Sequence, residues 1–258
     1  MAKLPLAKKS LGQHWLEDDT CLDAMVQSAQ VVSSDTILEI GPGTGTLTDK
    51  LISTGANILA LEFDQQRLQE LKRKYNKVGN VQLIAGDIRR FDFANLPKNY
   101  KIVANIPYYL TANLLRILTD ISNQPEIAVL LVQKEVAQKV VAKPGDLSQV
   151  AIFTQVVFQP TLDMIVPAQL FIPPPKVDSQ ILILTKRQTP LFSINDVFTR
   201  VVKAGFSEKR KKLRTSLSGG LGISKLDAEV LLQKANINID ARAQELELIQ
   251  WHKLSLFL

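Results

Sequence analysis

Leu38-Glu-Ile-Gly-Pro-Gly-Thr-Gly-Thr-Leu-Thr48 decides the fold. It closes an apolar, β-branched run, Thr36-Ile-Leu-Glu-Ile40, and opens an amphipathic one. Gly41, Gly43 and Gly45 let the backbone turn tightly and come close to a ligand, which then meets the amide groups at a helix N-terminus. Working outward, further strand-like runs follow at Asn57-Ile-Leu-Ala-Leu61, Val81-Gln-Leu-Ile-Ala85, Lys101-Ile-Val-Ala104 and Ile127-Ala-Val-Leu-Leu-Val132. Helical spacing separates them, as in 65–75 and 111–119. Near-continuous apolar strands alternating with helices predict a parallel sheet covered on both faces: a doubly wound, Rossmann-like α/β fold. Ile181-Leu-Ile-Leu184 reads as its last strand.

After Arg187 the texture changes. Gln188-Thr-Pro190 reads as a linker, and beyond it the helix-like stretches 195–204, 209–218, 224–234 and 244–256 predict a small all-helical domain, with Gly219, Gly220 and Gly222 breaking the run. The expected domains are therefore 1–187 for a ligand and 188–258 for a substrate cleft. The 258 residues carry 46% hydrophobic and 22% charged side chains, ordinary for a globular protein. The net charge of +6 favours a polyanionic partner. The single cysteine, Cys21, excludes a disulfide scaffold or a cysteine-based zinc site within one chain. No secretory h-region or membrane-length apolar stretch is present, and the reading is cytoplasmic.

Glu62, just after the second strand, is placed to accept hydrogen bonds from ribose hydroxyls. Asp87 follows the third strand and reads either as a contact to an adenine edge or as a turn cap. These features support a nucleoside-containing cofactor without separating a nicotinamide dinucleotide from S-adenosylmethionine.

The fourth strand runs into Ala104-Asn-Ile-Pro-Tyr-Tyr109, the most informative hexapeptide. An adenine N6 lone pair is delocalised into the ring and is a poor nucleophile, whereas a sulfonium methyl is already a strong electrophile. An enzyme joining them must hold N6 in line and draw its hydrogens outward. Asn105 offers a side-chain acceptor, Ile106 and Pro107 offer backbone carbonyls on a fixed loop, and Tyr108 offers an aromatic face for an extruded base. Methylation at a ring carbon generally needs a cysteine nucleophile, and Cys21 is far upstream. The expected chemistry is direct methyl transfer to an exocyclic amine, with no metal and no covalent enzyme intermediate.

With these elements in order, the chain resembles the small-subunit ribosomal RNA adenine N6,N6-dimethyltransferase family, nearly end to end. The resemblance is carried by Lys8-Lys-Ser-Leu-Gly-Gln-His-Trp-Leu16, Glu39–Gly45, Glu62-Phe-Asp64, Gly86-Asp87 and Asn105-Ile-Pro-Tyr108. Val132-Gln-Lys-Glu-Val136, Phe171-Ile-Pro-Pro-Pro-Lys-Val-Asp-Ser179 and Phe206 with the basic run to Arg214 follow. It implies that His14 and Leu16 close over S-adenosylmethionine, Gly41 packs under it, Glu62 holds the ribose and Asp87 meets the adenine. Gly43 and Ile88 are assigned to the same pocket. Asn105 would bridge cofactor and target base, and Phe171 with Pro173 to Pro175 would flank the target. It further implies that two neighbouring adenines in a hairpin loop near the 3′ end of small-subunit rRNA each receive two methyls, leaving S-adenosylhomocysteine. The substrate would be the rRNA within a pre-small-subunit particle, and the enzyme a monomer with no membrane partner. One departure is Trp15, where the family usually carries Phe. His14 also reads as a lightly packed surface histidine.

Lys203, Lys209, Arg210, Lys211, Lys212 and Arg214 cluster with only Glu208 opposing them locally, and Lys8 and Lys9 add charge. Such a cluster tracks phosphates or forms a solvated helix face; RNA contact is the reading adopted. Three other functions compete. A large-subunit rRNA adenine methyltransferase of the antibiotic-resistance type shares the loop, but Pro175-Lys-Val-Asp-Ser179 leans away from it. A non-catalytic RNA-binding assembly factor would have lost the two loops that are intact here. A nicotinamide-dependent oxidoreductase leaves Asn105–Tyr108 unexplained.

Overall fold

The computed structural model describes residues 13–258. Lys8, Lys9 and the first part of the motif ending at Leu16 lie outside them. β2 (Thr36–Ile40), β3 (Asn57–Glu62), β4 (Val81–Ala85), β5 (Lys101–Asn105) and β6 (Ile127–Gln133) form the parallel part of a seven-stranded sheet. Two further strands were reached only partly from sequence. β9 (Ser179–Lys186) pairs antiparallel with β6, and β7 (Phe158–Val166) lies beyond it at the edge. The sheet is thus mixed rather than wholly parallel. Between its buried ends β7 alternates exposed and half-buried residues, and it contains Pro160, a residue that suits an edge strand and weakens a strand signal. β1 (Trp15–Leu16) and β8 (Phe171–Ile172) form a separate two-stranded ribbon with Trp15 opposite Ile172 and Leu16 opposite Phe171.

The order β4-β3-β2-β5-β6-β9-β7 reverses direction of growth between β2 and β5. That reversal opens a crevice at the carboxyl ends of the strands. α1 (Asp19–Ser28) and α2 (Thr46–Ser53) pack Leu22, Met25, Leu47 and Leu51 onto Ile37, Ile58, Val103 and Val129 of one face. Asp18 caps α1 by accepting the Cys21 amide at 2.9 Å. α3 (Gln65–Lys74) starts at the cap Asp64, and α4 (Thr111–Asp120) connects β5 to β6. At the opposite ends of the strands, Lys101 is buried and its ammonium is satisfied by Asp35 and the Gln30 carbonyl, both at 2.8 Å. No helix among the described residues is long and apolar enough to cross a membrane.

Two compact units emerge, and their border differs from the single boundary expected after Arg187. One holds the described chain up to Ala137 and Pro160–Lys186; the other holds Gln138–Gln159 and Arg187–Leu258. The reason is α6 (Gln149–Val157), whose residues Ala151, Ile152, Val156 and Val157 are buried. Beside them Phe153 meets the ring of Phe198 edge-on at 5.8 Å. α5 (Lys134–Val140) spans the border.

In the second unit α7 (Asp196–Gly205), α8 (Leu213–Leu221), α9 (Lys225–Lys234) and α10 (Leu248–Ser255) follow the expected helical texture. α8 differs in two ways. It begins at Leu213, whose amide donates to Ala241 at 2.8 Å, so the basic residues Lys209–Lys212 sit on the preceding turn instead of a helix face. It also continues through Gly219 and Gly220, and ends only at Gly222, which is left-handed at φ +71°. A Cβ on Gly220 would lie 2.6 Å from Cα and Cβ of Ala204, so the missing side chain lets α8 approach α7 closely.

Gly220→Ala should therefore destabilise the protein. Overpacking costs about 1–3 kcal/mol and outweighs the roughly 1 kcal/mol that alanine gains over glycine in a helix. Chemical unfolding measures this directly, and a stabilised variant would show that the close approach is not made.

Candidate active site

The strand ends of the first unit surround one cavity. It is lined by the glycine loop after β2, by Glu62–Asp64 after β3, Gly86–Arg89 after β4 and Asn105–Leu110 after β5. Gln13–Leu16 and Phe171 complete the lining. The empty space is about 1140 Å³, counting the part open to solvent. All the residues assigned to the cofactor, and the catalytic quartet, are brought to this cavity.

The three glycines of the loop do different things. At Gly41, with φ +69°, an added Cβ would meet nothing within 4 Å, so this glycine presents bare backbone to open space. At Gly43, with φ +59°, an added Cβ would sit 2.5 Å from Cζ3 of Trp15, so this glycine receives the indole. Gly45 caps α2 in a left-handed conformation; its carbonyl lies 2.8 Å from the Tyr75 hydroxyl, which is equally close to the Asp49 carboxylate. Lys74 bonds Asp49 at 2.6 Å and reaches the Thr44 carbonyl at 3.3 Å. Sequence reading passed over Tyr75 and Lys74, because nothing local marks the end of α3 as the clamp on a loop thirty residues earlier.

Glu62 is buried, 5% exposed, and accepts the Gly43 amide at 3.1 Å and the Asp64 amide at 2.8 Å, one on each oxygen. Each oxygen keeps a second lone pair, which suits a ribose diol. Burial raises its carboxyl above the ordinary value, and the two amide bonds act against that. Glu39, 1% exposed at the rim of the same cavity, accepts the Thr48 hydroxyl at 2.7 Å. Burial pushes its carboxyl up to about 8, helped by the charges of Glu62 and Asp49 and opposed by Thr48.

Asp87 lines the cavity and also caps the turn Ile88–Arg90 by accepting the Arg89 amide at 3.0 Å. The Arg89 guanidinium forks onto both its oxygens, with Nε at 2.9 Å from each, and holds the carboxyl below its ordinary value. Ile88 is buried beside it. Phe63 also lines the cavity although 56% exposed; its one sequence signal was its place between Glu62 and Asp64. Bare backbone at Gly41, an apolar wall at Ile88 and Phe63, and acceptors at Glu62 and Asp87 fit a nucleoside-bearing cofactor such as S-adenosylmethionine.

Asn105 ends β5, half-buried, and Ile106 is buried. The Pro107 carbonyl accepts the Leu110 amide at 2.9 Å and keeps its second lone pair. Tyr108 is held on both sides. Its hydroxyl is 2.7 Å from Oγ of Ser179, a fully buried residue of β9, and its ring stacks with His14 at 5.8 Å between centroids. The His14 Nδ1–H donates to the Pro173 carbonyl at 2.7 Å, so His14 is a packed member of the cavity wall. Leu16 is buried and its carbonyl accepts the Thr46 hydroxyl at 3.0 Å. Ser179 had no role in the sequence reading, although its motif did.

Phe171 lines the cavity from the hydrophobic core, 2% exposed, whereas Pro173 is exposed. The cationic residues belong to the second unit. Lys203, Lys209, Arg210 and Lys211 are exposed. Lys212 pairs with Asp240 at 2.7 Å, and Arg214 pairs with Glu229 at 2.7 Å and Asp240 at 3.5 Å. Glu208 is therefore not the only opposing charge, because the fold returns two acids from later in the sequence. Cys21 lies in the core with Sγ 3.7 Å from Sδ of Met164, and burial pushes its thiol up to about 12. Among the described residues no group of three or more His, Cys, Asp or Glu is placed to hold a metal ion.

Comparison with known proteins adds three findings. The family model described as ribosomal RNA adenine dimethylase matches residues 5–258. Proteins named ribosomal RNA small subunit methyltransferase A are similar to the chain. That of Dehalococcoides mccartyi strain CBDB1 is 37% identical over 255 residues, covering 97% of this chain and 88% of its own. That of Rippkaea orientalis is 37% identical over 270 residues, covering 99% and 98%. Among solved structures, a dimethyladenosine transferase from Plasmodium falciparum superposes with a TM-score of 0.80 at 26% identity, covering 95% of this chain and 97% of that one. The 23S rRNA methyltransferase ErmE shares the fold, with a TM-score of 0.73 at 24% identity over 94% of this chain and 98% of its own.

The raised Glu39 carboxyl has a consequence for stability. Below pH 4.5 it is protonated in both folded and unfolded chains; between 4.5 and about 8 only the unfolded chain is ionised, so stability falls as pH rises. Glu39→Gln removes that loss. The stability advantage of the variant over the unaltered protein should grow from pH 5 to 8, by at most about 1.4 kcal/mol per pH unit. A difference independent of pH would mean that Glu39 is ionised in the folded protein.

Proposed function

The chain belongs to the ribosomal RNA adenine dimethylase family, and from that premise we propose that it transfers methyl groups from S-adenosylmethionine to N6 of two adjacent adenines of small-subunit rRNA. The observation that carries this reading is the shared cavity: the glycine loop with Glu62, and the loop Asn105–Tyr108, open into one space. S-adenosylmethionine supplies an electrophilic methyl whose transfer needs no acid to expel the neutral thioether, leaving S-adenosylhomocysteine.

The chain's own residues do the rest. Glu62 accepts the ribose hydroxyls on its remaining lone pairs, Gly41 lets the cofactor lie against backbone, Leu16 closes over it, and Ile88 with Phe63 packs its purine. Asp87 reads the purine edge while its ion pair with Arg89 keeps the carboxylate charged and oriented. The target adenine leaves its helix and lies on Tyr108, whose plane is fixed from Ser179 and His14. The Asn105 side-chain oxygen and the Ile106 carbonyl accept the N6 hydrogens, which turns the nitrogen lone pair toward the methyl. The proton leaves the product amine for solvent. The exposed cations Lys203, Lys209, Arg210 and Lys211 meet rRNA phosphates; Lys212 and Arg214 do so by exchanging their acidic partners. Pro173 and the rim of Phe171 border the base pocket. On this reading the enzyme works in the cytoplasm, as a monomer, on a precursor of the small subunit. The chain up to residue 187 serves the cofactor and residues 188–258 the RNA, with Gln138–Gln159 packing alongside the latter.

Labelled methyl transfer to unmodified small and large ribosomal subunits, with mass spectrometry of the RNA, tests the reading. Dimethyladenosine in small-subunit RNA alone is expected; label in large-subunit RNA overturns the substrate. Asn105→Ala should lower turnover by about 100-fold or more while unfolding as the unaltered protein does. Unchanged turnover would remove Asn105 from the reaction.

A further inference from the structure

Arg67, on the first turn of α3, is a cation where the fold has every reason to place an apolar residue. It is 2% exposed. Its Nη1 pairs with Glu70 within the same helix, and its Nε makes no hydrogen bond to any described residue. A buried guanidinium with an incomplete set of acceptors is costly, and an apolar side chain of similar volume usually serves stability better. What compensates it is an aromatic face: its Cζ lies 5.9 Å from the centre of the Trp15 ring.

Trp15 is no passive neighbour. It also meets the glycine loop: the ring occupies the space where Gly43 would carry a Cβ. The Gly43 amide beneath it donates to Glu62 at 3.1 Å. The backbone on either side is anchored, by pairing of Trp15 with Ile172 and by the bond from Thr46 to the Leu16 carbonyl. The ring is thus placed between an anchored backbone, the Gly43 loop and the Arg67 guanidinium.

We propose that Arg67 is a positioning residue for the cofactor: through the indole of Trp15 it sets Gly43, and with it the Glu62 carboxylate, in the geometry that receives the ribose. This rests on the reading of Glu62 as the ribose acceptor. Arg67 touches neither cofactor nor RNA. Its effect belongs to binding and leaves the chemical step alone.

Binding of S-adenosylhomocysteine by calorimetry, together with KM for S-adenosylmethionine and kcat, tests this in Arg67→Leu, Arg67→Lys, Trp15→Phe and the double variant Trp15→Phe/Arg67→Leu. Arg67→Leu should weaken S-adenosylhomocysteine binding and raise KM, each about tenfold, with kcat within about twofold. Arg67→Lys, which keeps a cation over the ring, should recover most of the affinity. The double variant should bind no more weakly than the weaker single variant, since both changes break one contact. Trp15 emission in the cofactor-free protein should shift in Arg67→Leu and return toward its original value in Arg67→Lys. Wild-type affinity in Arg67→Leu, additive losses in the double variant, or a fall in kcat at constant KM each overturns the proposal. Should Arg67→Leu fail to fold, Arg67→Lys and Trp15→Phe carry the same comparison. Failure of the unaltered protein to bind S-adenosylhomocysteine would instead sink the cofactor reading itself.

Discussion

Between β2 and β5 the sheet reverses its direction of growth, and the chemistry of this chain follows from that reversal. Neighbouring parallel strands whose connections leave in opposite directions cannot close over their own carboxyl ends, so a crevice stays open there. The same constraint explains why residues far apart in sequence meet. Glu62, Asp87 and Asn105 each stand at or just beyond the end of a different strand, with Glu39 one pleat repeat below them. Glu62 then ties two of the loops together, since its carboxylate takes one amide from the glycine loop and one from its own.

Much of this was legible in the sequence because it is local. A strand, a glycine turn and a helix start leave their marks within a dozen residues, and so do a carboxylate at a strand end and Asn-x-Pro-Tyr. What escaped depends on distance. β7 reads poorly because an edge strand needs neither a continuous apolar run nor freedom from proline. The second unit's claim on α6 is invisible until Phe153 meets Phe198. Gly219 and Gly220 look like helix breakers, and only the nearness of Ala204 shows that one of them is a packing device. The basic run looked nearly unopposed because Glu229 and Asp240 enter from other segments.

Trp15 shows how far a single departure from a family pattern reaches. Read alone, it is a large aromatic residue in place of another. In the fold it reaches both Gly43 and a buried guanidinium. A residue at the start of the chain thus shares an environment with the third helix, and neither can change independently of the other.

The support of Tyr108 divides the cavity by origin. One wall is built from the glycine loop, Glu62 and Asp87, all contributed by the first half of the chain. The tyrosine is braced from Ser179, and its stacking partner His14 from the Pro173 carbonyl, both on the segment that leads into β9. The two sides are nevertheless joined, because β8 pairs with β1. Substitutions between Phe171 and Ser179 therefore reach both walls at once, since Phe171 and Ile172 also pair with Leu16 and Trp15, and drift in this one short segment would change the accepted base only together with β1.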